Sequence, residues 1–256
     1  MGILNETKDS FYDGSRYNTE KEWLDQTELM LTEGADIIDI GCVSTRPGSK
    51  LSDKIEESKQ ITKVLKSILK HFPETVISVD TYHASVASQS IDSGAAIIND
   101  ISGGTIDSRM FETMARLKVP YILMHIKGIP ETMHLSPSYN NVLKEIIAFF
   151  SERINHLHSL GLSDIIIDPG FGFGKTTEHN FSLMEDLNIF QTFDNPLLIG
   201  ISRKSMIWKT LQSTPEKALN GTIALNTLAL LAKANILRVH DVKEAKDCIR
   251  LLSNLT

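Results

Sequence analysis

The chain has 256 residues, a formal charge of −6 and 41% hydrophobic residues, an ordinary globular balance in a chain long enough to bury about three quarters of its unfolded surface. No lysine and arginine run marks a nucleic-acid-binding face, no apolar run reaches transmembrane length, and no signal-peptide pattern opens the sequence. Two cysteines, Cys42 and Cys248, are too few for a disulfide scaffold, so the expected compartment is the reducing cytoplasm.

Strand and helix signals alternate eight times along the chain. Short apolar strands are expected at 2–4, 37–40, 76–79, 96–98, 121–124, 165–167, 197–200 and 237–239. Helix-length segments lie between them, among them 20–33, 53–71, 83–93, 138–160 and 215–233. Asp53 stands where an N-cap belongs, and Gly34, Gly94 and Gly161 follow periodic runs as helix-terminating glycines. Strands built almost wholly of Ile, Val and Leu are buried on both faces, which requires a parallel sheet beneath helices. Eight such units predict an α/β fold, a single TIM (β/α)8 barrel. No linker or low-complexity stretch interrupts residues 1–256, so one domain is expected.

Each strand ends in polar residues: Asn5, then Asp39-Ile40-Gly41, Asp80, Asn99-Asp100, His125, Asp168, Ser202-Arg203-Lys204 and Arg238-Val239-His240. One polar residue at a strand end is an ordinary cap. At all eight, on the barrel face where active sites are built, they point to chemistry.

The sixth strand runs into Asp168-Pro-Gly-Phe-Gly-Phe-Gly-Lys175. Gly170, Gly172 and Gly174 permit close backbone approach and positive φ, while the carboxylate and two phenylalanines suit a flat ligand with polar edges. Gly174-Lys175-Thr176 after a strand imitates a phosphate-binding P-loop. That motif needs glycine five positions before Gly174, where Pro169 stands, so the reading fails.

Two kinds of chemistry converge at the strand ends. Asp80, Asn99 and Asp168, walled by Met124 and Phe173, form a hydrogen-bonding slot for a heterocycle carrying amino and ring N–H groups, because a carboxylate accepts paired N–H donors strongly and selectively. Asn5, Thr45, Arg46, Lys204, Ser205, Arg238 and His240 form an anion-binding rim, in which arginine grips phosphate bidentately and lysine supplies a point charge.

With these residues in place, the chain resembles the dihydropteroate synthase family. The resemblance is carried by MGILNETKDSFYDG at 1–14, GADIIDIGCVSTRPG at 34–48, ISVDT at 77–81, IIND at 97–100, ILMHIKGIPETM at 122–133, DPGFGFGKTTEHN at 168–180, ISRKS at 201–205 and RVHDV at 238–242. It implies a cytoplasmic, dimeric TIM-barrel transferase of folate biosynthesis and a sulfonamide target. Such an enzyme joins 6-hydroxymethyl-7,8-dihydropterin diphosphate to 4-aminobenzoate, with Mg²⁺ assisting departure of diphosphate. By the same resemblance, Asp80, Asn99, Asp168, Lys204, Met124 and Phe173 meet the pterin. Thr45, Arg238, His240 and Asn5 meet the diphosphate, with Asn5 the Mg²⁺ ligand. Ser202, Ser205, Phe11 and Pro47 lie around the aminobenzoate. Asp13 and Arg46, on two closing loops, join Asp80 and Lys204 as catalytic residues. Small-molecule substrates and a second copy of the chain are the expected partners, with no nucleic acid and no membrane.

The first loop departs from the family pattern, with Glu6 where valine is usual and Lys8 where proline is usual, while Asn5, Thr7, Asp9, Phe11 and Asp13 match. Loss of the proline raises loop freedom. The family often carries a hairpin ahead of its first strand; the expectation here is a chain without one, a difference that would fall at the bottom of the barrel. A pterin-dependent methyltransferase of the same superfamily would share the Asp80/Asn99/Asp168 slot, but it has no diphosphate to bind and no need for 202–205 together with 238–240. A non-catalytic pterin-binding protein would be expected to drift at Asn5, Arg46 and His240.

Overall fold

The computed structural model describes residues 1–5, 19–41, 53–133, 135 and 137–255. Among the described residues, eight parallel strands close into a ring. Six of them pair in chain order: β1 (Gly2–Asn5), β2 (Ile37–Gly41), β3 (Val76–Asp80), β4 (Ile97–Asp100), β5 (Tyr121–Met124) and β6 (Ile165–Asp168). The last two, β7 (Leu198–Ile199) and β8 (Ile236–Leu237), pair with each other. Parallel bridges between Ile167 and Leu197 and between Gly2 and Val239 join the two groups and close the barrel.

Helices follow the strands: α1 (Glu20–Thr32), α2 (Lys54–His71), α3 (Ala84–Asp92), α4 (Met110–Leu117), α5 (Val142–Ser159), α6 (Thr177–Glu185), the short α7 (Ser205–Thr210), α8 (Leu219–Leu231) and α9 (Val242–Leu252). Asp53 caps α2 as expected, its Oδ1 accepting the amides of Ile55 at 2.9 Å and Glu56 at 3.1 Å. Gly34, Gly94 and Gly161 directly follow the C-caps of α1, α3 and α5. Two expected boundaries are corrected. The helix expected from 138 starts at Val142, because the Asn141 side chain caps the amide of Lys144 at 2.9 Å. The helix expected over 215–233 is broken: Pro215–Lys217 forms a 3₁₀ turn and α8 starts only after Ala218, since proline favours a chain start and brings no amide to a longer helix. The strands expected at 96–98, 197–200 and 237–239 shift by a residue or two at their ends, the usual uncertainty of terminal hydrogen bonds.

The strand period of two sorts the side chains into two cores. One face of each strand, with Ile38, Ile40, Ile77, Val79, Ile98, Leu123, Ile165, Ile167 and Ile199, packs under the helices in the main apolar cluster. The other face supplies Ile97, Ile122, Ile166 and Leu198, which gather with Met1 into a second cluster, flanked by Ile37 and Ile236. This second cluster plugs the barrel interior. No helix among the described residues is long and apolar enough to cross a membrane.

Candidate active site

Advancing two residues along each plugging strand keeps the same face and climbs one layer toward the C-terminal rim. From Ile37 the step reaches Asp39, from Ile97 Asn99, from Ile122 Met124, from Ile166 Asp168, from Leu198 Gly200 and from Ile236 Arg238. The apolar plug thus carries a polar layer directly above it. Arg238 is its centre: Nε donates to Asp39 Oδ2 at 2.6 Å and Nη2 donates to Asp80 Oδ2 at 3.1 Å. Asn99 donates through Nδ2 to the same Asp39 oxygen at 3.1 Å. A carboxylate can only accept, so this bond fixes the amide orientation and turns Asn99 Oδ1 away from Asp39.

Asp168 ends β6, and its Oδ1 accepts the Gly170 amide at 2.8 Å. The glycine loop then lies flat on the backbone after β5: a side chain at Gly170 would strike the carbonyl oxygen of His125, and one at Gly174 that of Lys127. Tyr139 Oη donates to the Gly174 carbonyl at 2.9 Å, fastening the loop from the α5 side. Phe173 packs with Tyr82, Ile101, Met124, Ile126 and Met133 in a small buried cluster at the rim. Lys204, half-buried, donates to the Phe171 carbonyl and holds its ammonium 4.6 Å from the Phe173 ring centroid.

The charges are strongly perturbed by this crowding. Burial pushes the Asp80 carboxyl upward; Arg238 pulls it down, while Asp39, Glu57 and Asp100 push it further up. Burial also raises Asp168, against Lys204, the Gly170 amide, Arg238 and Lys175. Lys204 is brought down to about 8 by burial, with Asp168 opposing. Burial weakens the proton affinity of Arg238, but Asp39 and Asp80 more than offset it and hold the guanidinium charged. His240 is brought down to about 4 by burial and by Arg238, so its imidazole is neutral near pH 7.

Of the residues expected from sequence, Asp80, Asn99, Asp168, Lys204 and Arg238 are drawn into one polar layer, and Met124 and Phe173 share the apolar cluster beside it. Ser202 Oγ accepts the His240 amide at 3.2 Å, tying the ends of β7 and β8. Ser205 opens α7. Asn5 ends β1, with its Oδ1 and Asp80 Oδ2 both beside Gly41. Phe11, Asp13, Thr45, Arg46 and Pro47 lie outside the described residues. Three strand-end residues prove to be structural. Arg203 forks onto Asp241 at 2.9 and 2.8 Å, with further bonds to the carbonyls of Pro215 and Glu216. Asp100 is buried and accepts from Ser102, Gly104 and Tyr121. His125 is pushed down to about 2 by burial and by Lys175, which leaves it neutral and buried.

Asp39 was visible in sequence as a strand-end residue without a role in the site. Its position two residues after Ile37 in the plug is the signal that would have supplied one. Its Oδ1 is buried and has no hydrogen-bond partner among the described residues.

The pterin binding enzyme family model matches residues 1–240. The dihydropteroate synthase of Escherichia coli K12 is 41% identical over 254 residues, spanning 98% of this chain and 89% of that protein. The dihydropteroate synthase of Yersinia pestis, solved as a sulfonamide drug complex, superposes with a TM-score of 0.94 at 38% identity, covering 99% of this chain and 92% of that one. The dihydropteroate synthase of Xanthomonas albilineans, solved with 4-aminobenzoic acid, gives 0.90 at 34% identity, covering 99% and 91%.

Proposed function

The chain belongs to the pterin-binding enzyme family as a dihydropteroate synthase, and from that premise we propose that its polar layer condenses 6-hydroxymethyl-7,8-dihydropterin diphosphate with 4-aminobenzoate, giving 7,8-dihydropteroate and diphosphate. The observation that carries the reading is the convergence of Asp80, Asn99, Asp168, Lys204 and Arg238 above an apolar plug. Residues 1–256 act in it as one domain.

Asp80, Asn99 Oδ1 and Asp168 offer acceptors to the amino and ring N–H groups of the pterin. Lys204 offers a donor and Met124 and Phe173 the apolar faces. The C–O bond between the pterin methylene and diphosphate breaks with its electron pair leaving on the diphosphate. The resulting cation is spread over the electron-rich ring and stabilised by Asp80 and Asp168, preorganised where positive charge develops. The aniline nitrogen of aminobenzoate then attacks the methylene and releases one proton. That nitrogen is neutral and nucleophilic at pH 7, so the buried, neutral His125 is not needed as a base. Arg238, His240, Thr45 and Asn5 are assigned to the diphosphate, Ser202, Ser205, Phe11 and Pro47 to the aminobenzoate, and Asp13 and Arg46 to catalysis.

Mg²⁺ fits the donor chemistry at Asn5, whose amide oxygen is a hard ligand close to the Asp80 carboxylate. No group of three or more His, Cys, Asp or Glu gathers for a metal among the described residues. Bound there, the ion would neutralise charge on the leaving group. We extend the proposal to a cytoplasmic homodimer. Its support is an apolar face on α8, where Leu228 and Leu231 are exposed beside Phe181, Met184 and Leu225; light scattering giving a monomer's mass at assay concentrations would remove that part.

The deciding experiment supplies dihydropterin diphosphate and Mg²⁺, with and without 4-aminobenzoate. Diphosphate release with stoichiometric dihydropteroate, competed by a sulfonamide against aminobenzoate but not against the pterin, is the expected result. Binding without release would disqualify the synthase reading and favour a pterin-binding protein.

A further inference from the structure

The glycine loop encloses a cation that the proposed reaction does not use. Lys175 is buried, and its ammonium lies 2.8 Å from the Gly170 carbonyl, 3.0 Å from the Phe173 carbonyl and 3.0 Å from His125 Nδ1, with the His125 carbonyl further away at 3.4 Å. Three near partners match three N–H bonds, and each partner accepts. Burial and the nearby charge keep His125 neutral, and in the tautomer protonated at Nε2 its Nδ1 offers the ammonium a lone pair. With His125 in that tautomer, a neutral amine would bring two donors to three acceptors and point its own lone pair at the third. The cradle is therefore built for ammonium, although burial draws the proton affinity of Lys175 well down.

The gathered groups are those that shape the heterocycle slot. Gly170, whose carbonyl Lys175 holds, is also the residue whose amide donates to Asp168 Oδ1. Phe173, whose carbonyl Lys175 holds, carries the ring that lies against Lys204. His125 follows Met124, the other apolar wall. One buried charge thus fixes the loop bearing the carboxylate, the aromatic floor and the turn between them.

We infer that Lys175 is a positioning residue of the pterin site, one that draws the glycine loop into shape and supplies Asp168 with a counter-charge from behind the pocket. The inference rests on the pterin reading above. Asp168 faces Lys204 from the loop after β7, Arg238 from β8, and Lys175 from its own loop; Lys175 in turn faces His125, Asp168 and Lys204. Removing Lys175 takes away one of three cations that favour the Asp168 carboxylate. The ionised form is then lost at a higher pH.

Lys175→Met keeps length and volume while deleting charge and donors. The measurements are direct binding of the pterin diphosphate, KM for both substrates, the pH profile of kcat/KM for the pterin, and thermal unfolding. At pH 7 the pterin KM and Kd are expected to rise about tenfold or more while the aminobenzoate KM stays within about twofold, as for loss of a single site's preorganisation. The acid limb of the pterin profile should move to higher pH. Equal increases in both KM values, or a lower melting temperature with an unmoved pH profile and unchanged pterin affinity, would overturn the positioning role. If Lys175→Met does not fold, His125→Leu removes one acceptor and leaves the ammonium in place. A pterin Kd raised about threefold with the acid limb unmoved is then expected, and an unchanged Kd would overturn the inference. Wild-type turnover tests the synthase reading separately, because the binding comparison between wild type and variant needs no product.

Discussion

Arg238 Nε lies 2.6 Å from Asp39 Oδ2, and Asp39 has no exposed surface. The pair places a fully buried carboxylate beneath the residues that face the ligand. Since Asn99 donates to the same oxygen, Asp39 sets both the direction of the Arg238 fork and the orientation of the Asn99 amide.

Asp39→Asn retains shape but removes the charge that Arg238 and Asn99 share. The asparagine must also direct its amide hydrogens somewhere in a neighbourhood of donors. Loss of a charged hydrogen bond of about 1.5–3 kcal/mol is expected in kcat/KM for the pterin diphosphate. Asp39→Ala, which leaves the half-buried Arg238 with Asp80 as its carboxylate partner, is expected to cost about 1.5–3 kcal/mol of folding stability as well. Steady-state kinetics and denaturant unfolding of the two variants check both numbers; wild-type kinetics in Asp39→Asn would show that the layer orients itself without Asp39.

Lys204 gives a prediction in pH. Its folded value is lowered to about 8, so the charged form dominates below that pH and is lost above it. If the ammonium is needed to meet the pterin, kcat/KM for the pterin diphosphate should fall as pH rises through about 8, the free-enzyme value that this ratio reports. Lys204→Arg stays charged throughout that range and should lack the limb, whatever its absolute rate. A limb that persists in Lys204→Arg would assign it to another group.

Gly170→Ala tests the close approach of the loop. Gly170 has φ of +69° and no room for a methyl group against the His125 carbonyl. Strain of about 1–3 kcal/mol is expected, read as a lower unfolding midpoint, together with weaker pterin binding because the Asp168–Gly170 bond is displaced. Gly161→Ala has positive φ, +86°, but open space around it, so it should lose stability without losing pterin affinity. Equal binding losses in both would mean that the loop tolerates movement.

The barrel was legible because its signals are local. Apolar runs such as Ile165–Ile166–Ile167 imply two-sided burial, and Asp53 and Gly161 mark where helices start and stop. The convergence of Asp80, Asn99 and Asp168 was legible because they occupy equivalent strand ends, and chain order alone brings equivalent ends to one rim. Partnership was not. Arg203 and Arg238 are both arginines after short strands, and nothing local distinguishes them; only the fold shows Asp241 waiting for one and Asp39 with Asp80 for the other. Asp39 is 199 residues from Arg238, so its role depends on barrel closure. Lys175 is the opposite case: its partners Gly170 and Phe173 are local, but the surrounding residues imitate a phosphate loop and carry no signal that the ammonium folds back into the loop itself.

Arg203 supplies the contrasting case, a strand-end charge that braces the frame of the site. It is buried, adopts φ of +54°, forks onto Asp241 and reaches two carbonyls of the 3₁₀ turn before α8. This joins the loops after β7 and β8, the weakest-paired part of the ring, where each strand contributes only two ladder residues. Asp241→Ala would remove the carboxylate onto which the buried guanidinium forks, and a stability loss of about 3–5 kcal/mol is expected for a broken buried pair. Among the described residues, the Lys204 ammonium bonds the Phe171 carbonyl and the Arg238 fork bonds Asp39 and Asp80, with Asp241 a partner of neither. The folded variant, assayed well below its melting temperature, should therefore keep KM for the pterin within about twofold. A large rise in KM at unchanged stability would place Arg203 in the substrate site after all, with Asp241 as its orienting partner.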